Sequence, residues 1–434
     1  MGIFGTPPEV AIKAEVPLIF FLAWMMGAIV SFIGALTFAE IGSRYPAAGG
    51  FYKIFSHCYH PAFAFMVNWI TVISNAASTA AVALMGAEYI APILLGNMDH
   101  AIAVKIITIS SIAALFVVNL RGIKTSSKVL NVLMVIKLSL LLILISAVFF
   151  VRGEHAENEL AQNAMTGMEM FQAFLLCFVP VFFTYGGYQQ TMNFGGDIKN
   201  ANKNLPRAVF FGMTIVLIIY LLVNYSYYQV LGFEALQGTK TVAADITGLM
   251  FGNIAADMVS VLMFFSVLAY VNVSIMSNPR VYFAMAEDKV MPAILARVNK
   301  KTQVQEWALS LFCVFIFLTL FFMDSFKSIL PYVMFFDSIS LITAASAIFI
   351  LRHRAKKIAG RQVGEEESID VFKMKGYPFL PAIYILIYGA VNVSVLIANP
   401  EAATYGAILF ISGLPLFFAL RFIIKKAALN KFSE

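Results

Sequence analysis

The chain has 434 residues, 60% of them hydrophobic and only 12% charged, with a mean hydropathy of +0.83 and a net charge of +6. A soluble domain carries about 25% charged residues, so the composition describes a polytopic membrane protein and excludes a soluble protein held by one anchor. The basic balance comes from loops on one side of the membrane, as argued below, and no zinc-finger or RNP module points to nucleic acid as a partner.

The chain opens on Gly2-Ile3-Phe4-Gly5-Thr6-Pro7-Pro8-Glu9. Thr6 reads as an N-cap, Pro7 as the first helical residue and Glu9 as the third position of a capping box. The helix runs to about Ala14, and its roughly 15 Å of rise is half the hydrocarbon thickness. So the chain begins with half a transmembrane helix. Full spans follow at Pro17–Ile41, Phe63–Leu95, Ala101–Leu120, Val129–Val151, Phe171–Phe194, Ala208–Leu231, Ile254–Phe283, Trp307–Met323, Ile329–Leu351, Phe379–Ile397 and Tyr405–Ile424, eleven beyond the opening half.

Assigning the loops alternately to two sides puts 24 of the 30 Lys and Arg residues with Arg44 and Lys53, five on the other side, and Lys137 inside a span. The rich side is the cytoplasm by the positive-inside rule. The expected location is a plasma (inner) membrane, crossed many times, with the C-terminus cytoplasmic. Arg152–Met168 and Gly232–Asp257 read as external hydrophilic stretches and Arg352–Tyr377 as a cytoplasmic one, none long enough for a second domain. Arg44–Pro61 is amphipathic and aromatic and is expected along the cytoplasmic face, with a plain loop as the alternative; its His57 and His60 receive no ligand role. Cys58, Cys177 and Cys313 are scattered apolar packing residues with no CxxC spacing. No cofactor or metal is implied, and no cleavable secretory signal is visible.

Within the Phe171–Phe194 span lies Phe182-Phe183-Thr184-Tyr185-Gly186-Gly187-Tyr188. Paired glycines in mid-membrane weaken a helix by roughly 1 kcal/mol each, and broken backbone at that depth is tolerated only where it lines an enclosed cavity. Gly2–Pro8 is a matching interrupted stretch, and two such stretches in equivalent halves point to a transporter's binding site. Close helix packing is the competing reading of these glycines. Lys137 sits about nine residues into its span, roughly 13 Å deep, where a lysine is costly and by default functional. Of the acids inside spans, Glu88 is near a helix end and can snorkel; Asp337 is deeper and can face a vestibule or pair with a polar neighbour. Glu40 and Asp197 lie near the cytoplasmic face, as partners of loop cations, helix caps or elements of an inward gate.

Four ordered motifs carry a resemblance. Phe38-Ala39-Glu40-Ile41-Gly42-Ser43-Arg44-Tyr45-Pro46-Ala47-Ala48-Gly49-Gly50-Phe51-Tyr52 resembles the second-helix signature of the amino acid–polyamine–organocation superfamily, and Gly2-Ile3-Phe4 the tail of its first-helix G-x-G-I-F motif. Gly195–Asn200 with Leu205–Ala208 resembles the element after helix six, with Asp197 for the usual Glu and Ala201 for the usual Pro. Asn278–Asp288 resembles the element after helix eight. The resemblance implies an all-α, 5+5 inverted-repeat (LeuT-like) bundle plus two C-terminal helices. Mapped here, residues 1–151 are the first repeat with its first helix truncated at the N-terminal half, and 167–352 the second repeat. A cytoplasmic linker at 353–376 and the last two helices with the tail at 377–434 complete the chain.

What the resemblance implies for function is alternating-access transport of amino acids, by proton symport or by exchange. Helix N-termini suit the substrate carboxylate and helix C-termini its ammonium. Gly2, Ile3, Phe4 and Gly5 are thus the candidate carboxylate side. The carbonyls of Phe183, Thr184 and Tyr185 are the ammonium side, with Gly186 and Gly187 allowing close approach. Phe183 aligns with the family's aromatic gate or is a packing aromatic; Lys137 aligns with a fifth-helix lysine that couples protons in some members and is a fixed structural cation in others. The aromatic residues and the shortage of membrane acids favour neutral amino acids. No HExxH, GxSxG, P-loop, Rossmann or filter sequence supports an enzyme or a channel. Family members begin with a cytoplasmic tail and a first half-helix, so an upstream start, a fragment, or a truncated inactive relative is the alternative expectation.

Overall fold

The computed structural model describes residues 2–45, 50–151, 166–193, 198–239, 241–322, 326–359 and 371–430. A 3-10 turn, Gly2–Phe4, leads into α1 (Pro7–Ala14). Pro7 and Pro8 start this helix because their fixed φ suits its first turn, where a missing N–H costs nothing. The expected capping box is not formed. Thr6 is itself helical (φ −90°, ψ −24°) and its hydroxyl donates back to the Gly2 carbonyl at 2.9 Å. The preceding 3-10 turn brings that carbonyl within reach, and Glu9 pairs with Lys13 at 2.8 Å instead.

The remaining helices of the first part are α2 (Pro17–Arg44), α3 (Gly50–Cys58), α4 (Pro61–Leu94), α5 (His100–Leu120) and α6 (Ile123–Ser146). Then come α7 (Gly167–Tyr185), α8 (Ala201–Leu231), α9 (Phe233–Gly238), α10 (Val242–Phe251), α11 (Asn253–Ser277), α12 (Pro279–Glu287), α13 (Glu306–Phe322), α14 (Phe326–Ala359), α15 (Phe379–Ala398) and α16 (Pro400–Asn430). Among the described residues ten helical stretches are long and apolar enough to cross a membrane. The eleventh expected span is α13, whose 17 residues rise roughly 25 Å.

α4 is the axis of the bundle. Its apolar window is 89% buried, against 11% for α16. Ala76, Ala77, Ala80, Ala81, Ala83 and Ala87 clothe it in small side chains, which let neighbouring backbones approach closely where no hydrophobic effect drives helix association. α14, α11, α16, α5 and α13 all pack on it. The outer faces carry large exposed apolar side chains, such as Val135 at 65% and Leu386 at 70%. Such surface is unusual in a soluble monomer and ordinary against lipid.

One loop expectation changes. Gly232–Asp257 folds into α9, α10 and the start of α11, burying Phe233, Leu236, Val242 and Ile246. Gln237 Nε2 donates to the Ala11 carbonyl at 3.0 Å, so α9 caps the half-helix α1. α3 is the amphipathic helix expected of its stretch, burying Phe51, Ile54 and Phe55 against α4 and α14 and leaving Lys53, Ser56 and His57 on the outer side.

Candidate functional site

α7 stops at Tyr185 after 19 residues, and a 3-10 helix, Tyr188–Asn193, resumes beyond Gly186 and Gly187. Gly187 has φ +117° and open space on its Cα, a backbone that side chains rarely tolerate. The Gly186 N–H donates to the Phe182 carbonyl at 2.9 Å and to that of Phe183 at 3.3 Å, and Gln189 Oε1 accepts from the Gly187 N–H at 2.8 Å. No backbone N–H of the described residues reaches the carbonyls of Thr184 and Tyr185, as expected of the last turn of a helix.

The opening stretch meets this break directly. Thr6 Oγ1 lies 2.5 Å from Thr184 Oγ1, and the two hydroxyls share their protons between this contact and the Gly2 and Pro180 carbonyls, 2.9 Å from Thr6 Oγ1 and 2.8 Å from Thr184 Oγ1. Gly2 packs so closely on Thr184 that an added Cβ would collide with its hydroxyl and backbone. The N–H groups of Gly5 and Thr6 are already taken by the Gly2 carbonyl at 2.8 Å, and Tyr89 OH donates to the Phe4 carbonyl at 3.0 Å. By helix geometry the earliest N–H groups, Gly2 and Ile3, are the ones with no acceptor inside the turn.

A cavity of about 580 Å³, counting its opening, adjoins both breaks. Of the residues named from the sequence, Gly2, Phe183, Gly186, Gly187 and Asp337 line it. Ile3 and Phe4 are fully buried in the apolar core, Gly5 packs beside Met85, and Thr184 holds the opening turn. Tyr185 points away, edge-on to Trp24 at 5.8 Å and against Tyr220 at 5.3 Å. Lys137 is not in the lining. It shares a stripe of α6 with the buried Leu133, Leu140 and Leu144, is itself half-buried, and has no hydrogen-bonding or ionic partner among the described residues. Asp197 lies outside the described residues.

Apart from Asp337, the polar wall of the cavity is what sequence reading missed. Asn75 and Ser78 of α4, Gln190, Tyr270 of α11 and Asp337 of α14 face it. They are held in place: Gln190 Nε2 donates to Asn75 Oδ1 at 3.1 Å, Ser78 Oγ lies 2.8 Å from Tyr270 OH, and Ser74 Oγ donates to Asp337 Oδ1 at 2.6 Å. The legible signal was Thr71, Ser74, Asn75, Ser78 and Thr79, polar residues at helical spacing on one face of an apolar span. An aromatic column closes another wall, with Phe182 stacked on Tyr388 at 4.8 Å, and Tyr188 OH lies 2.7 Å from Tyr384 OH.

The lysine-rich end is closed by ions. Glu40 is completely buried; it accepts from Arg352 Nε at 2.8 Å and Nη2 at 2.7 Å, from Arg44 Nε at 2.8 Å and from the Met374 N–H at 2.8 Å. The Arg352 guanidinium also covers the Tyr377 ring at 3.9 Å. One carboxylate thus joins α2, α14 and the segment 371–377. Beside it Lys53 meets Asp288 at 2.6 Å, tying α3 to the end of α12, and Arg354 donates to the His57 carbonyl at 2.6 Å. Burial, and then the charge of Arg354, hold the His57 imidazole below its ordinary pKa.

A family model described as amino acid permease matches residues 1–423. The serine/threonine exchanger SteT of Bacillus subtilis (strain 168) is 27% identical over 424 residues, covering 97% of this chain and 92% of that protein. The large neutral amino acids transporter small subunit 2 of Homo sapiens is 24% identical over 424 residues, 96% of this chain and 76% of that protein. The b(0,+)-type amino acid transporter 1 of Mus musculus is 25% identical over 308 residues, 69% of this chain and 62% of that protein.

Proposed function

Because this chain belongs to the amino acid permease family, we propose that it carries amino acids across the membrane by alternating access, each held in the cavity where α7 breaks. The observation that carries this reading is the end of α7 at Tyr185, which opens beside a cavity whose facing wall includes Gly2. The substrate carboxylate meets the N–H groups of Gly2 and Ile3, at the positive end of a helix start. Its ammonium meets the carbonyls of Thr184 and Tyr185, and the Phe183 ring covers it. The side chain then points to Asn75, Ser78, Gln190 and Asp337.

That wall suits small neutral amino acids bearing a hydroxyl or amide, since a buried acceptor left without a donor costs about 1–3 kcal/mol. The names of two relatives, a serine/threonine exchanger and a large neutral amino acids transporter, agree with neutral substrates. The first name also favours exchange. Proton symport stands as the second reading because Lys137 lies on the inward stripe of α6 without a partner among the described residues. Residues 1–151 and 167–352 are read as inverted halves, and the loop-charge bias supports a cytoplasmic C-terminus.

Purified protein in liposomes loaded with serine tests this with labelled serine, threonine, leucine and lysine, with and without a pH gradient. Serine and threonine should enter by exchange, and Asp337→Asn should depress them at least 10-fold relative to leucine. A folded protein that moves none of the labels in either condition refutes the transport reading. A variant that loses all substrates equally refutes the assignment of Asp337 to side-chain recognition.

A further inference from the structure

Four rings stack in a column between α7 and α15. Phe178 and Phe182 of α7 lie nearly parallel with centroids 5.1 Å apart, Phe182 meets Tyr388 of α15 at 4.8 Å, and Tyr388 meets Tyr384 at 4.6 Å. The middle two, Phe182 and Tyr388, line the cavity where α7 breaks, while Phe178 and Tyr384 do not. α15 stands outside the stretches read as the two halves, 1–151 and 167–352, and still supplies part of this wall.

The Tyr388 ring has nowhere to retreat. Phe182 covers one face and Tyr384 packs on the other side, and all three side chains are buried. Tyr384 is itself held, its hydroxyl 2.7 Å from that of Tyr188 and its ring edge-on to Phe38 of α2 at 6.1 Å. Behind it the α2 backbone comes so close that a Cβ added at Gly34 would collide with the Tyr384 ring and the Tyr188 hydroxyl. Rings packed in this way hold one another beyond the area they bury, and at interior density a side chain keeps its rotamer. The cavity thus has a polar wall, with Asn75, Ser78 and Asp337, and a stiff aromatic one.

We propose that Tyr388 sets the upper size of the substrate side chain: its ring fills the place that the ring of an aromatic amino acid would need, so the carrier takes small amino acids and rejects phenylalanine. The proposal rests on the placement of the substrate in this cavity and adds a specificity residue from α15. Its converse is a gain of substrate. Without the Tyr388 ring the column has an apolar gap between Phe182 and Tyr384, and an apolar gap of ring size stays dry and accepts an aromatic guest. The ring of a phenylalanine substrate would take the missing place and regain the stacking on both neighbours.

The test is uptake of labelled serine, leucine and phenylalanine into serine-loaded liposomes. Alongside it, the unfolding temperature of the full chain in neutral detergent is followed as each amino acid is added, a readout of binding that needs no transport. The wild type should bind and carry serine and not phenylalanine. Tyr388→Ala should raise phenylalanine relative to serine roughly 10-fold, a factor that two ring contacts support, and should raise leucine less. Tyr388→Leu, which refills part of the gap, should raise phenylalanine by a smaller factor. Phe178→Ala shortens the column away from the cavity and should lower the unfolding temperature while leaving the ratio unchanged. Phenylalanine bound or carried by the wild type as well as serine overturns the proposal, whether or not either Tyr388 variant folds. So does an unchanged ratio in a folded Tyr388 variant, or an equal rise in Phe178→Ala, which would mean general loosening of the bundle. A wild type that binds and moves none of the amino acids refutes the transport reading itself, and the proposal with it.

Discussion

Replacing Glu40 by Gln isolates the ion cluster at the lysine-rich end. The carboxylate has no exposed surface and accepts four charge-assisted or backbone hydrogen bonds, while Arg44 and Arg352 are 13% and 19% exposed. Gln retains one acceptor oxygen, and its NH2 would face either a guanidinium or the Met374 N–H. The variant therefore keeps at most half the bonds and leaves cationic side chains packed without a counter-ion. Breaking a buried pair from one side costs about 3–5 kcal/mol, whereas replacing both partners by apolar groups is often close to neutral. Unfolding in mixed micelles, followed by the fluorescence of Trp24, Trp69 and Trp307, should show Glu40→Gln destabilised by about that amount. Glu40→Met/Arg352→Met should recover most of the loss, because Arg44 sits at the membrane edge and can turn to water. A Glu40→Gln loss under about 1 kcal/mol, or a double variant no better than the single, would refute the account of Glu40 as a desolvated three-way tie.

Gly187→Ala places a Cβ at φ +117° in open space, so the effect is backbone strain without collision, of about 1–2 kcal/mol; uptake should fall about 10-fold, the factor such strain supports, with expression intact, measured in liposomes. Lys137→Ala should abolish uptake driven by a pH gradient while sparing exchange, and undiminished pH-driven uptake would remove Lys137 from coupling. His57, held below its ordinary value of 6.5, binds its proton more readily unfolded than folded. Its contribution to stability is therefore full above pH 6.5 and is lost as the pH falls through the lowered value. Unfolding midpoints between pH 7.5 and 5 should drop less in His57→Gln than in the wild type.

Much of the architecture was legible because the bilayer imposes simple rules. Long apolar runs must be helices, and the lysine and arginine bias orders the loops, so the span list and the half-helix at Pro7–Ala14 follow from local composition. The interruption at Gly186-Gly187 was legible for the same reason, since local backbone preference decides where a helix can stop. Capping at Thr6 was misread because its partner is chosen by the 3-10 turn behind it, a geometry that the S/T-x-x-E pattern does not encode. The helices α9 and α10 escaped notice because short mixed segments carry no strong period, and what holds them is burial against α1 and α11.

The chain's residues by themselves determined a membrane bundle with one interrupted helix and an interrupted start, because hydropathy and glycine act within a few residues of where they stand. Only the tertiary structure decided which side chains share a space. Asn75, Gln190, Tyr270 and Asp337 come from four distant stretches, and apart from Asp337, a deep acid, each alone is an ordinary polar residue in an apolar run. It also decided that Glu40 ties three segments while Ile3, Phe4 and Tyr185 turn into the core. Such choices depend on how whole helices rotate and tilt against one another, a property of the packed bundle and of no single segment.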